Sequence, residues 1–168
     1  PGEAVVRAGR RVTVQEVLEE VEKDSVYYSR SGGGLTLSGG EPLAQPEFAY
    51  HLLRAYKHSA LGLHAAVDTC GSVPWSSLER ILPYVDLFLY DVKHMDSDKH
   101  RAFTGVCNEP IIDNLGRLAE EAREVVIRVP LIPGCNDDEE NIRRTAEHVQ
   151  KLPRISRVDL LPYHRLGE

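Results

Sequence analysis

The chain has 168 residues, 42% of them hydrophobic and 27% charged, and a formal net charge of −6 at pH 7. This length and composition suit one globular domain with a single buried core. The acidic balance excludes the basic surface that binds nucleic acid, and no apolar run reaches the roughly 20 residues that cross a bilayer. The widely spaced Cys70, Cys107 and Cys135 exclude a disulfide framework and a compact metal motif. With no secretion signal at the N-terminus, we expect a cytoplasmic protein with free thiols.

Segments with helical periodicity alternate with short apolar runs along the chain. The first helix carries the pattern of a capping box, with Thr13 as N-cap and Glu16 three residues later, and Pro46 stands near the first turn of the second helix. In chain order the patterns predict helix 13–24, strand 34–39, helix 45–59, strand 63–67, helix 74–84, strand 85–92, a helical turn or two in 96–105, helix 109–122, strand 124–132, helix 137–152 and strand 156–163.

The five predicted strands are separated by helical segments, which indicates parallel βαβ units with right-handed crossovers. The strands are continuous apolar runs, as expected where helices cover a sheet or side chains fill a barrel. The predicted fold class is therefore α/β with a parallel sheet. Periodicity leaves two arrangements open, a doubly wound sheet and an arc of a (β/α) barrel.

Polar residues follow each predicted strand. In strand order they are Ser38–Gly39–Gly40–Glu41, Asp68–Thr69–Cys70–Gly71, Asp91–Val92–Lys93, Arg128 with the loop from Pro130 to Gly134, and Pro162–Tyr163–His164. Parallel α/β folds build their sites from the loops at the carboxyl ends of the strands. Each segment alone has an ordinary explanation as a tight turn, a helix cap or a solvated side chain. Their shared position predicts one functional site.

The glycine-rich stretch around the first strand ends in a carboxylate. Gly39 and Gly40 allow backbone groups to approach a ligand without an intervening Cβ. Glu41 has two interpretations, since its carboxylate can accept hydrogen bonds from a ligand ammonium or from the amides of its own loop. Glycines before a helix are typical of a phosphate loop, but a carboxylate would repel an anion.

Asp91 and Lys93 stand two positions apart, so on a strand both side chains point to the same face. Opposite charges flanking one spot suit a zwitterion such as an amino acid. A simple salt bridge between the two at the rim of the sheet is the alternative, and such pairs are common.

The histidines outside these loops fall into two groups. Four lie on predicted helices at exposed spacing and are predicted to be solvated, namely His51, His58, His100 and His148. His64 and His94 flank strands, and their environment is left open.

Five ordered motifs carry a resemblance to a known family. They are SGGGLTLSGGEPL, VDTCG, DLFLYDVKHMD, VVIRVPLIPGCND and LLPYHRLG. In this order and spacing they resemble the activating enzymes of glycyl radical enzymes, such as the pyruvate formate-lyase activating enzyme, which belong to the radical S-adenosylmethionine superfamily. The resemblance covers the chain from about Gly9 onward. It implies a partial (β/α) barrel of about five βα units that lacks its N-terminal unit.

The resemblance implies a role for each loop in binding S-adenosylmethionine. Gly39, Gly40 and Glu41 would receive the methionyl amino group, and the Asp91–Val92–Lys93 segment would lie by the methionyl amino and carboxylate groups. His164 would lie by the nucleoside. Asp68 with Asp91 matches a position that holds a monovalent cation in some members. Arg128, with Lys93, is expected to act in catalysis and to face the cofactor and the incoming glycyl loop.

The family's reaction, as implied by the resemblance, uses a reduced 4Fe-4S cluster to pass an electron to S-adenosylmethionine. The resulting 5′-deoxyadenosyl radical removes hydrogen from a glycine in the C-terminal loop of the partner enzyme. A flavodoxin- or ferredoxin-type protein is the implied electron donor. The chain departs from the family in having no CxxxCxxC motif, so we expect it to bind no cluster by itself.

The first residues are interpreted as the end of an absent segment. Residues 1–12 resemble the exit of a ferredoxin-like insert, and 13–168 would form the partial barrel. The chain is thus expected to be a fragment of an activase. Two other functions stay open, a non-catalytic docking module for a glycyl radical enzyme and a phosphate-binding α/β enzyme. The latter lacks both the lysine of a P-loop and the spacing of a dinucleotide fingerprint.

Overall fold

A computed structural model of the chain describes residues 9–59 and 63–163. The strands are β1 (Gly34–Leu37), β2 (His64–Thr69), β3 (Leu87–Asp91), β4 (Val125–Leu131) and β5 (Ile155–Pro162). The helices are α1 (Val14–Glu22), α2 (Ser25–Ser31), α3 (Pro46–His58), α4 (Trp75–Ile81), α5 (Ser97–Thr104), α6 (Glu109–Glu121) and α7 (Glu139–Val149), with short 3₁₀ turns at Pro42–Ala44 and Leu82–Tyr84.

All five strands are parallel and lie side by side in chain order, from β1 to β5. A doubly wound sheet reverses its strand order at a switch point, whereas a barrel adds each strand beside the previous one. The sequential order therefore identifies the arc of a (β/α) barrel, and the predicted fold class is confirmed. Because the strands are parallel, the carboxyl ends of all five lie along one edge of the sheet.

The hydrophobic core lies between the sheet and the helices that follow each strand. It includes Leu53 of α3, Leu78 of α4 and Leu115 of α6, which pack with alternate strand residues such as Phe88 and Ile127. Because side chains alternate along a strand, the intervening residues point to the opposite, inner face of the arc. The core thus fixes which strand residues are left for the site.

Local sequence signals account for most helix ends. The capping box of α1 is confirmed, since Thr13 and Glu16 exchange hydrogen bonds, and Pro46 is the first residue of α3. Helix α2 was not predicted because it carries no apolar stripe. None of its residues is buried, and Val26 and Tyr27 are exposed.

The predicted tail lies mostly outside the described residues, which begin at Gly9. Its assignment as the exit of an insert therefore stays a prediction. Among residues 9–59 and 63–163, no helix has the length and hydropathy needed to cross a membrane.

Candidate active site

A charged triad, formed by Asp68, Asp91 and Arg128, lies on the inner face at the carboxyl ends of β2, β3 and β4. Asp91 and Arg128 are direct neighbours in the register of β3 and β4. Arg128 Nε and Nη2 donate to Asp91 Oδ1 over 3.0 and 2.8 Å, and Nη2 also donates to Asp68 Oδ1. The hydroxyl of Ser38, after β1, donates to Asp68 Oδ2 over 3.0 Å. One hydrogen-bonded network therefore joins the ends of four strands.

Arg128 supplies the positive charge at the centre of the charged triad. Burial disfavours its charged form, but the hydrogen bonds and charges of Asp91 and Asp68 outweigh burial and raise the pKa of the guanidinium above its ordinary value. Its side chain keeps 21% of its surface exposed, so a ligand can still reach it. In the structure the guanidinium of Arg128 is the cation that binds both carboxylates. The predicted monovalent cation at Asp68 and Asp91 stays a prediction.

Glu41 fastens the loop after β1 to the loop after β2. Its Oε1 accepts from the Leu43 amide over 3.0 Å, and its Oε2 accepts from the Cys70 amide over 3.0 Å and from the Cys70 thiol over 3.2 Å. The hydroxyl of Thr69 lies 3.0 and 2.9 Å from the two oxygens. Of the two interpretations of Glu41, the geometry supports hydrogen bonding to loop amides. A contact of its carboxylate with a ligand ammonium stays a prediction.

Gly39 and Gly40 bring bare backbone to the same edge of the sheet. Their φ angles of +87° and +61° lie in the left-handed region that favours glycine. A Cβ placed on either residue would meet nothing within 4 Å, so the space in front of this backbone is open. The backbone of this loop is therefore open to a ligand, and its predicted contact with the cofactor stays a prediction.

Lys93 lies just beyond the end of β3 and is half-buried. The alternative of a simple Asp91–Lys93 salt bridge is not what the chain forms, because Asp91 binds Arg128 instead. Within residues 9–59 and 63–163, no carboxylate forms an ion pair with Lys93. Its ammonium is thus available to an anionic group of a ligand.

The two remaining predicted cofactor contacts are Val92, which the structure describes, and His164, which it does not. The side chain of Val92 packs in the core, and its amide donates to the Arg128 carbonyl over 2.9 Å. Val92 therefore helps to seat the charged triad, while its predicted contact with a cofactor stays a prediction. His164 lies outside the described residues.

The cysteines do not form a cluster site on the described part of the chain. Cys70, Cys107 and Cys135 are all free thiols, and the described residues contain no group of three or more Cys, His, Asp or Glu side chains placed to hold a metal ion. Burial raises the pKa of the Cys70 thiol, and its hydrogen bond to Glu41 adds to this effect. Both effects favour the neutral thiol of Cys70 over its thiolate.

Four buried asparagines, which sequence reasoning missed, fasten the strand-end loops. They are Asn108, Asn114, Asn136 and Asn141, and each is at most 5% exposed. Asn114, for example, donates to the carbonyls of Gly71 and Val73 over 2.9 Å each. An asparagine does not contribute to hydrophobic periodicity, so three of these residues gave no signal in the sequence. Asn114 gave a weak one, because it is a polar residue at a core-facing position of α6.

Two of the helix histidines are not solvated. His51 and His58 are exposed as predicted, but His100 is only 3% exposed and its Nδ1 lies 2.7 Å from the Val106 carbonyl. His148 is half-buried, and its Nε2 has no hydrogen-bond partner among the described residues. The prediction for these two was wrong because α5 and α7 turn their histidines towards neighbouring loops and helices.

His94, which was left open, is buried. It is 4% exposed, its Nδ1 accepts from the Asp96 amide over 2.9 Å, and its carbonyl accepts from Asn108. Beside it, a cleft of about 340 Å³ opens between α5 and the loop after β4, with Lys93, Phe103 and Ile132 among its lining residues. Lys93, two residues after Asp91 of the charged triad, therefore lines this cleft.

Comparison with known proteins gives consistent matches over nearly the whole chain. The family model described as the Radical SAM superfamily matches residues 3–146. The isethionate sulfite-lyase activating enzyme of Oleidesulfovibrio alaskensis is 50% identical over 169 residues, which cover 99% of this chain and 53% of that protein. The pyruvate formate-lyase-activating enzyme of Clostridium pasteurianum is 38% identical over 95% of this chain and 66% of its own length. The chain therefore spans about half the length of the first of these relatives.

A solved structure gives the same result. A domain of the pyruvate-formate lyase-activating enzyme from Bacteroides vulgatus superposes with a TM-score of 0.72 at 42% identity, over 79% of this chain and 82% of that domain. The resemblance indicated by the five motifs is confirmed by these relatives.

Proposed function

Because the chain belongs to the radical SAM superfamily, and within it to the activating enzymes of glycyl radical enzymes, we propose that it is the part of such an activase that binds S-adenosylmethionine. The complete protein would produce a glycyl radical in the C-terminal loop of a partner enzyme. The proposal includes a flavodoxin- or ferredoxin-type electron donor and a cytoplasmic location.

One observation carries the proposal: groups of complementary charge converge at the ends of adjacent parallel strands. The methionyl part of S-adenosylmethionine is a zwitterion, with an ammonium and a carboxylate on one carbon. The open backbone at Gly39 and Gly40 and the oxygens of Asp68 and Asp91 suit the ammonium. The half-buried ammonium of Lys93 suits the carboxylate. These residues therefore fit the cofactor.

The described residues do not fit the second group that the family uses, the 4Fe-4S cluster. Members of the family use the cluster together with S-adenosylmethionine, which supplies the radical that abstracts hydrogen. The proposal therefore assigns the cluster ligands to a part of the protein outside the described residues. The described residues bind and orient the cofactor, and they determine which of its groups meets the partner's glycine.

Arg128 and Lys93 have different tasks in this proposal. Arg128 is held rigidly by two carboxylates, so its guanidinium keeps a fixed position on the inner face, from which it contacts the cofactor and the incoming loop. Lys93 is not held by an ion pair among the described residues and is free to bind the methionyl carboxylate. Arg128 therefore orients the cofactor, and Lys93 binds its carboxylate.

The experiment is an anaerobic assay of the full-length protein with reductant and S-adenosylmethionine. We expect 5′-deoxyadenosine and methionine in equal amounts, and a Lys93→Met variant should raise the KM for S-adenosylmethionine by about tenfold or more through loss of a charged contact. Lys99→Met is the matched control, because Lys99 is an exposed lysine of α5. No 5′-deoxyadenosine from the wild-type protein, or equal effects of the two substitutions, would count against the proposal.

A further inference from the structure

Asn136 joins the loops after β3 and β4 through a single buried amide. It is 4% exposed, and its Nδ2 donates to the Lys93 carbonyl over 2.8 Å and to the Pro130 carbonyl over 2.7 Å. Its Oδ1 accepts from the Ile132 amide over 2.7 Å. Both donor hydrogens and the acceptor oxygen of the side chain are thus used, and every partner is a backbone group, in the loop after β3, in β4 near its end or in the loop after β4.

Asn136 joins β4 to the loop after β3 beyond the point where backbone hydrogen bonds join the two strands. The last backbone bond between the two strands runs from the Val92 amide to the Arg128 carbonyl. Among the described residues, no backbone hydrogen bond beyond it joins Lys93 to β4. The Asn136 amide bridges this gap one residue beyond Val92. The backbone of Lys93 is therefore tied to the strand that carries Arg128.

Asn141 connects Asn136 to helix α7. It is 2% exposed, its Nδ2 donates to the Asn136 carbonyl over 2.9 Å, and its Oδ1 accepts from the Met95 amide over 2.9 Å. The carboxylate of Asp138 caps this helix by accepting from the Asn141 amide over 2.9 Å. The first turn of α7 thus anchors Asn136 and the loop after Lys93 together.

We infer that Asn136 is a positioning residue for the cofactor site, which sets the place of Lys93 relative to the charged triad. This inference rests on the proposed function. Because the ammonium of Lys93 has no ion pair among the described residues, its position depends on its backbone more than on side-chain partners. A misplacement of binding groups by about 1 Å can cost up to about 100-fold in rate.

The test compares three variants of the full-length protein. Asn136→Ala removes the three hydrogen bonds of the Asn136 side chain. Asn136→Asp keeps the shape but turns a carboxylate oxygen towards two carbonyl oxygens. Asp86→Ala is the control, since the half-buried Asp86 also ties separate elements together, but at the opposite end of the sheet, where it accepts from the Ala65 amide over 2.8 Å and forms ion pairs with Arg123, over 2.6 Å, and with Lys57.

We expect all three variants to lose stability in urea titrations, because each loses several hydrogen bonds between separate segments of the chain. Only the Asn136 variants should raise the Kd for S-adenosylmethionine, by about tenfold or more, with the KM rising more than kcat falls. Hydrogen exchange should accelerate at the Ile132 amide and in residues 92–96. If Asn136→Ala does not fold, Asn141→Ala replaces it, and a smaller rise in Kd is expected.

The possible failures are distinguishable. A wild-type protein that does not bind S-adenosylmethionine would overturn the proposed function, and this inference with it. A wild-type protein that binds, with Asn136 variants whose Kd is no higher than that of Asp86→Ala, would overturn this inference alone.

Discussion

At the scale of single residues, the site depends on polar groups whose hydrogen bonds are made within the protein, and Glu41 is the main example. Glu41 looks like a ligand-binding carboxylate in the sequence, yet its two oxygens accept from the amides of Leu43 and Cys70 and from the hydroxyl of Thr69. These contacts give the carboxylate a structural role, because removing it would leave part-buried donors unpaired, while its contact with a ligand ammonium stays a prediction. Its service to the site is to hold Gly39 and Gly40 beside the next loop.

Glu41→Gln should therefore lower the free energy of unfolding, by about 1–3 kcal/mol, because the new amide group faces donors where an oxygen is needed. Urea denaturation measures this change. Glu47→Gln on the exposed surface of α3 is the matched control, and it should change stability by less than about 0.5 kcal/mol. An unchanged stability in Glu41→Gln would mean that the carboxylate is free for a ligand.

Gly71 gives a second test at this scale. Its φ is +69°, and a Cβ there would lie 1.6 Å from the hydroxyl oxygen of the buried Tyr90. Tyr90 cannot yield easily, since its hydroxyl donates to the Ile111 carbonyl over 2.7 Å. Gly71→Ala should cost about 3 kcal/mol of unfolding free energy through strain and overlap.

The control for Gly71 is Gly116, which lies inside α6 with nothing within 4 Å of an added Cβ. Gly116→Ala should raise the unfolding free energy by about 0.5–1 kcal/mol, because alanine loses less backbone entropy than glycine when the helix forms. Equal effects of the two substitutions would show that the packing of Tyr90 against Gly71 is wrong.

At the scale of secondary-structure elements, the loop after β3 and helix α7 bury two histidines that are kept neutral. Burial lowers the pKa of His94, and the charge of Lys99 lowers it further against the opposite effect of Asp138 and Asp96. Burial also lowers the pKa of His148. In the unfolded chain both take up a proton near pH 6.5. The native state resists this protonation, so the unfolded state binds more protons below that pH.

The free energy of unfolding should consequently fall as the pH drops below about 6.5, by about 1.4 kcal/mol for each unit by which a native pKa is lowered. Above that pH the contribution is complete. Urea titrations at pH 7.5 and 5.5 measure the difference. His148→Asn should remove its own share, and His94→Asn, which keeps an acceptor for the Asp96 amide, should remove the rest. A wild-type stability that rises on acidification would contradict this origin.

Sequence patterns predicted most of the elements because each has its own apolar period or cap. They predicted the convergence of Asp68, Asp91 and Arg128 because strand ends in a parallel sheet share an edge. They did not give the pairing, since the sequence leaves a salt bridge between Asp91 and Lys93 open as an alternative, whereas Asp91 binds Arg128 across the sheet. Contacts between strands depend on register, which a single sequence does not contain. The buried amide of Asn136 was missed for the same reason.

At the scale of the whole molecule, the chain is an arc of five parallel strands whose functional edge combines loops from all parts of the described sequence. In the proposed function the arc supplies the protein's contacts to S-adenosylmethionine, while its described residues contain no group of side chains placed to hold a metal ion. Two contacts of the methionyl group, to iron through its amino and carboxylate groups, would then be missing.

The 168-residue chain alone should therefore bind S-adenosylmethionine weakly or not at all, whereas the full-length protein with its cluster should bind it. Calorimetric titration of both under anaerobic conditions measures the difference. Tight binding by the chain alone would mean that the strand-end residues suffice without iron.

Transfer of hydrogen from a glycine to the cofactor is the most direct test that the strand-end site serves radical activation. The full-length protein is mixed anaerobically with reductant, S-adenosylmethionine and the glycyl radical enzyme proposed as its partner, prepared with α-deuterated glycine. We expect 5′-deoxyadenosine that carries one deuterium, in an amount equal to the glycyl radical measured by electron paramagnetic resonance. Formation of 5′-deoxyadenosine without deuterium and without a radical on the partner would contradict the proposed function.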